Sequence, residues 1–291
     1  MANQTAPVPT PARDWRDRRL QANGLRFHYQ EWGSPKSPPM LLLHGFSQDG
    51  HSWDEFARAL SGEYHIVALD QRGHGDSSRA PDQDYSARVM ISDLEEIVRG
   101  LGWHRTPFTL CGLSMGGRNS ILLTAKHGKW VKRLVIVDVG PEIMQKGAEK
   151  LRRFVTGTDV LEFDQFVKRA MQFNTRRSEE NIRERLGWRL KRLPNGKYTW
   201  KLDPVLRDAG APRPRLGRRL DLWKIIAKIT CPTLVVRGGV SDVFAKDTGQ
   251  KMAQVIRDAR FVTVPKAGHS VMGDNPAGFE KAVRRFLKAV K

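Results

Sequence analysis

The chain is short of the residues that cross-link a fold or anchor it in a bilayer. Two cysteines in 291 residues, Cys111 and Cys231, are too few for a disulfide framework, and each borders an apolar, strand-like run. They read as buried free thiols, which fits a reducing, cytoplasmic setting. No apolar run approaches the roughly 18 residues of a membrane span. Residues 1–14 are rich in Pro, Thr and Ala and hold no apolar h-region, so they read as a disordered leader and not as a signal peptide. No internal repeat is visible.

Acidic residues are the other shortage. Against 50 Lys and Arg stand 31 Asp and Glu, a formal net charge of +19. Residues 141–230 alone hold 22 basic and 11 acidic side chains. A surplus of this kind suits anionic partners. Yet the charges are spread along amphipathic segments and no nucleic-acid-binding motif accompanies them. The expectation is a solvated basic face with its arginines pointing outward, and no nucleic-acid partner.

What is present is a soluble, globular composition, 40% hydrophobic and 28% charged, long enough for one large core with an inserted subdomain. The central stretch is Leu110-Cys111-Gly112-Leu113-Ser114-Met115-Gly116-Gly117. An apolar run from Phe108 stops at Gly112, and a helix-compatible stretch from Arg118 to His127 follows almost at once. A serine between them sits on a tight strand-to-helix turn whose neighbours must lack bulk, a demand that Gly112 and Gly116 meet. Such a turn exposes the Ser114 hydroxyl and aims the Met115 N–H at an oxyanion forming beside it.

Around this turn the pattern alternates. Asn23-Gly24 between Leu20–Ala22 and Leu25–Trp32 signals a hairpin. Continuous apolar strands follow at 40–43, 64–69, 108–111, 131–139, 233–236 and 260–264, separated by helical spacing such as Val89, Ile91, Leu94, Ile97, Val98 and Leu101. The fold class expected is α/β, a mostly parallel sheet covered by helices on both faces. Residues 141–220 break the rhythm with Arg-rich helical segments (151–155, 163–171, 182–190). They read as a helical cap inserted between core segments 15–140 and 221–291.

A serine hydroxyl needs a base, and the base needs an orienting acid. One histidine follows His127, and that is His269, placed just past the last expected strand. Asp242 follows a strand and Asp138 ends one, and the two compete for the acid's place. Asp242 is preferred, because a late strand–loop–Asp is the usual third corner in this chain order. His44-Gly45-Phe46 places the Phe46 N–H beside Met115 as a second oxyanion donor. Asp70 through Ser77 read as a hydrogen-bonded turn in which Arg72 and His74 brace loops. Met144, Phe173, Trp188 and Val271 are the expected substrate-pocket residues.

Together, HGF, DQRGHGDS, GLSMGG, the cap insertion, the late Asp and GHS resemble the α/β-hydrolase family from about Leu20 to Lys291. The resemblance implies a Ser114–His269–Asp242 triad, an acyl-enzyme and neither metal nor organic cofactor. It implies hydrolysis of a small-molecule carboxylic ester or lactone, in a protein with no membrane span that is compatible with a homodimer. Leu113 stands where C–C hydrolases of acidic ring-cleavage products often carry Asn, which favours the ester or lactone reading over that alternative. A hydrolase-like ligand receptor is a further alternative from a different class.

Overall fold

In the computed structural model, residues 14–156, 159–207, 214, 216–217 and 220–290 are described. The expected leader therefore lies outside the described residues, apart from Asp14. The first hairpin pairs β1 (Trp15–Ala22) with β2 (Leu25–Trp32) antiparallel, closing Ala22 onto Leu25. Asn23 and Gly24 turn the corner with φ of 48° and 73°, the left-handed conformation that Asn and Gly adopt at least cost.

Next come β3 (Pro39–Leu43), α1 (Asp54–Leu60), β4 (His65–Leu69), α2 (Ala87–Gly100), β5 (Phe108–Leu113), α3 (Met115–Lys126) and β6 (Val131–Val137). The inserted segment holds α4 (Gln145–Val155), α5 (Phe163–Phe173), α6 (Glu179–Arg189), β7 (Leu190–Arg192) and β8 (Tyr198–Trp200). The chain returns through α7 (Leu222–Ile226), β9 (Thr233–Gly238), α8 (Lys246–Val255), β10 (Ala259–Val264), α9 (Val271–Asp274) and α10 (Pro276–Ala289). The eight-stranded sheet runs β1-β2-β4-β3-β5-β6-β9-β10, parallel from β4 onward.

The strands' continuous apolar character has a direct structural cause, since successive side chains feed two separate layers. Leu41 and Leu43 face a layer shared with Leu94, Ile97 and Ile121. Met40 and Leu42 face another built with Trp53, Phe56, Phe279 and Phe286. Each fully buried Leu contributes about 1.5–3 kcal/mol relative to exposure. Cys111 lies inside the second layer and Cys231 is half-buried, both free, so the second thiol is less enclosed than expected.

The inserted segment holds a strand pair as well as helices, with Pro194-Asn195-Gly196 at the turn of the antiparallel β7–β8 pair and Gly196 at φ 83°. The three expected helices are present as α4, α5 and α6, and α5, α6 and the hairpin share an apolar cluster of their own around Phe166, Leu186 and Trp200. Polar ties hold the segment to the core. Tyr85 Oη donates to Asp203 Oδ2 at 2.5 Å, the Asp203 N–H donates to Gly73 O at 2.8 Å, and Lys201 pairs with Asp76 at 2.7 Å.

Candidate active site

The site lies at the carboxyl ends of the parallel strands, where loops from neighbouring strands converge. Ser114 follows β5 with φ 52° and ψ −114°, outside the comfortable regions for a residue with a side chain. The surroundings enforce that geometry. A Cβ on Gly112 would come 2.4 Å from Gly116 O, and one on Gly116 would come 2.2 Å from Leu43 O. Neither position accepts a side chain without moving backbone. The Ser114 N–H donates to Val137 O at 3.0 Å, which fixes the serine beside the end of β6.

Asp138 is the next residue, fully buried and also at positive φ, 51°. Its Oδ1 accepts from the Gly238 N–H at 2.8 Å. Its Oδ2 accepts from Ser241 Oγ at 2.6 Å and lies 2.8 Å from His269 Nδ1. A carboxylate held by three partners fixes the orientation of the ring bonded to it, and leaves Nε2 of His269 for chemistry.

The acid expected at Asp242 is therefore misplaced. Its side chain is 51% exposed and stands 4.0 Å from Lys150, not against His269. Sheet order supplies the reason. β6 lies directly beside β5, so Asp138 ends next to the serine, whereas the β9 loop curls through a Ser241 N–H to Gly238 O bond. That turn points Ser241 inward and leaves Asp242 at the cavity wall. The contribution of Ser241 was not legible in the sequence, where it is one more serine in a loop.

The HGF loop is pinned by a network. His44 Nδ1 donates to Gly45 O at 2.7 Å, so its Nε2 accepts the Gln71 N–H at 3.0 Å. Burial pushes the His44 pKa down to about 3, which keeps the ring neutral in this role. Gln71 Nε2 donates to His44 O, and Gln71 Oε1 accepts from Asn119 on α3. A Cβ on Gly45 would lie 3.4 Å from Ser114 Cβ, so the loop runs against the elbow. Among the described residues neither the Phe46 N–H nor the Met115 N–H has an acceptor, and Met115 opens α3, where a helix leaves its donors free. Arg72 binds Asp93 through two nitrogens at 2.6 and 2.8 Å, and His74 Nδ1 donates to Arg72 O, so both brace loops as expected.

A cavity opens between these loops and the inserted segment. Ser47, Gln48, Phe154, Phe173, Leu186 and His269 are among the residues that line it. Of the four expected pocket residues, the cavity wall contains Phe173. Met144 is 42% exposed, Val271 is fully buried in the core, and Trp188 stacks on His51 with centroids 3.9 Å apart. Apart from Phe173, the large apolar residues expected in the pocket mark packing or surface positions and not lining ones.

The wall is also strongly basic, contrary to the expectation that the arginines point outward. Lys150, Arg176, Arg177, Arg185 and Arg189 line the cavity against two acids, Asp242 and Asp274. Asp274 is a buried tie between the segment and the histidine loop. Its Oδ2 accepts the Gly268 N–H at 2.9 Å, while Oδ1 accepts from Arg177 Nε at 2.9 Å and Asn174 Nδ2 at 3.1 Å.

Comparison with known proteins places the fold in a family. A family model described as alpha/beta hydrolase fold matches residues 38–276. An esterase of Mycobacterium tuberculosis is 31% identical over 278 residues, covering 92% of this chain and 88% of its own length. The mouse sn-1-specific diacylglycerol lipase is 29% identical, covering 88% and 82%. The crystal structure of an E-2-(acetamidomethylene)succinate hydrolase superposes with a TM-score of 0.83 at 26% identity, covering 94% of this chain and 99% of that one. The chain belongs to the α/β-hydrolase family, and these three relatives are an esterase, a lipase and a hydrolase.

Proposed function

We propose that this hydrolase cleaves a carboxylic ester or lactone through an acyl-enzyme on Ser114, with His269 as the base and Asp138 as its orienting acid. The observation that carries the reading is the 2.8 Å contact of His269 Nδ1 with a buried Asp138 carboxylate, directly beyond the strand end that holds the strained Ser114. His269 Nε2 takes the Ser114 proton as Oγ bonds to the carbonyl carbon. The oxyanion gathers charge against the Phe46 and Met115 N–H groups, each such donor contributing roughly 10²–10³ in turnover. His269 then returns the proton to the departing alkoxide, and water repeats the sequence to release the acid. Residues 141–220 serve as the cap that selects the substrate.

The relatives' names range over an ester, a lipid and an acetamidomethylene succinate, so they support hydrolysis more firmly than any one substrate. The test is a panel of p-nitrophenyl esters and lactones followed by mass spectrometry. Multiple turnover with an acyl adduct on Ser114 is expected. A single turnover with retained product would favour the receptor alternative, and turnover without an adduct on Ser114 would remove this mechanism.

A further inference from the structure

The cavity wall holds more positive charge than its neighbours balance. Arg177 and Arg185 have side chains 7% and 9% exposed, and each has an acid, Asp274 at 2.9 Å and Glu55 at 3.0 Å respectively. Arg185 also donates from Nε to Asn181 Oδ1, yet its buried Nη1 has no partner among the described residues. Arg189 has no carboxylate within 4 Å among the described residues, and its Nη2 donates to Ser52 Oγ at 3.2 Å. Arg176 likewise has no acidic partner there. Two glycines make the placement possible. A Cβ on Gly273 would stand 2.3 Å from Arg177 Nη2, and one on Gly268 would stand 3.1 Å from Arg176 Nη1. Both guanidinium groups therefore lie close to the backbone on either side of His269.

A structural role alone does not explain this arrangement. A buried cation is costly unless paired, and a chain using arginine only to tie elements together would give each one an acid, as it does for Arg177. Instead Arg177, Arg185 and Arg189 crowd one another. Burial, and then the neighbouring arginines, push the Arg177 pKa down to about 10, and burial chiefly lowers that of Arg189. Asp49 acts on Arg189 from beyond ion-pair distance and does not close the deficit. A guanidinium fork matches a carboxylate through two parallel N–H···O bonds, and in a desolvated wall that match is worth far more than at a surface.

We infer that Arg185 and Arg189, with Arg176 at the mouth, form a carboxylate subsite, so that the natural substrate is an acidic ester or lactone carrying a free carboxylate remote from its scissile carbonyl. This rests on the serine-hydrolase reading, and it adds the substrate's charge and the wall that holds it. The carboxylate docks on α6, the reacting carbonyl lies toward Ser114, and remote binding energy positions the carbonyl for attack.

The test compares monomethyl adipate with methyl heptanoate, of near-equal length. The anionic ester should be preferred at least about tenfold in kcat/KM, and most of that preference should persist in about 0.5 M NaCl, where exposed charges are largely screened. Arg189→Gln should lower the ratio of anionic to neutral kcat/KM by about tenfold or more, with part of it restored in Arg189→Lys, which keeps charge but not the fork. A wild-type ratio near one, or a ratio indifferent to both Arg189→Gln and Arg185→Gln, would overturn the subsite and leave the hydrolase standing. If neither ester turns over, the hydrolase reading is the one that fails, and calorimetric titration with adipate decides the subsite without catalysis. Saturable binding weakened about tenfold by Arg189→Gln would support it, while no binding or unchanged binding would reject it. Should Arg189→Gln not fold, Arg176→Gln, at an exposed position, gives the same readouts.

Discussion

The strand-end loops of the sheet core and the inserted segment treat two sets of charged residues differently. In those loops, Asp70 and Arg72 are buried and closely partnered. Asp70 accepts from the Gly50 and Asp76 N–H groups and from His28, and Arg72 is matched by Asp93 through two bonds. In the segment, Arg189 lines the cavity with no carboxylate within 4 Å among the described residues, and the buried Nη1 of Arg185 has no partner among them. Saturation suits the machinery, which must hold atoms in place before substrate arrives. Incomplete saturation suits selection, because the missing partner is supplied by the ligand. Under the proposed function, this difference divides bond-breaking at the strand-end loops from recognition on the helices above them.

The largest expected effect breaks the core side of that comparison. Ser114→Ala should remove hydrolysis by more than about 10³-fold with the fold intact, since alanine suits the elbow as well as serine does. Residual activity above that level in a steady-state assay would move the nucleophile elsewhere. Asp138→Asn should lower kcat by about 10²–10⁴, because an amide neither holds the working tautomer of His269 nor balances its charge. Asp242→Asn, at a half-exposed site beside Lys150, should stay within about threefold; a reversal of the two results would restore the later acid.

The tie between the regions comes next. Asp274→Asn leaves Arg177 buried without its counter-charge, for an expected loss of about 3–5 kcal/mol by denaturant unfolding. A loss under about 1 kcal/mol would mean that water reaches Arg177 and that the wall is wetter than its burial implies.

The smallest effect probes the seam beneath the arginines. Burial raises the Asp49 pKa to about 6, against the pull of Arg189. With the folded pKa above the unfolded one near 4, the penalty of charging Asp49 is absent below about pH 4 and complete above about pH 6. Asp49→Asn should therefore raise Tm at pH 8 and leave it unchanged near pH 3.5. A lowered Tm at pH 8 would show that the Asp49 charge is needed by Arg189, which would bring the segment closer to the saturated pattern of the core.

The sequence by itself determined the fold class, and it singled out the serine, the histidine and the oxyanion loop that the proposed function uses. These follow from local rules. Continuous apolar strands must be covered on both faces, a serine flanked by Gly112 and Gly116 can occupy a strained turn, and a lone late histidine past the last strand has few other uses. The sequence also held both candidate acids, and local pattern favoured the wrong one. Choosing between Asp138 and Asp242 requires knowing that β6, and not β9, lies beside β5, a fact of sheet order that no window of residues contains.

The arginines were misread for a related reason. Helical periodicity tells which residues share a face of α6, but not whether that face meets solvent or a cavity. Trp188 and Arg185 both depart from their expected environments, the tryptophan stacking on His51 away from the cavity and the arginine lining the wall. Only the packing of the segment over the strand ends decides which charges are desolvated, and desolvation turns a basic surface into a binding site.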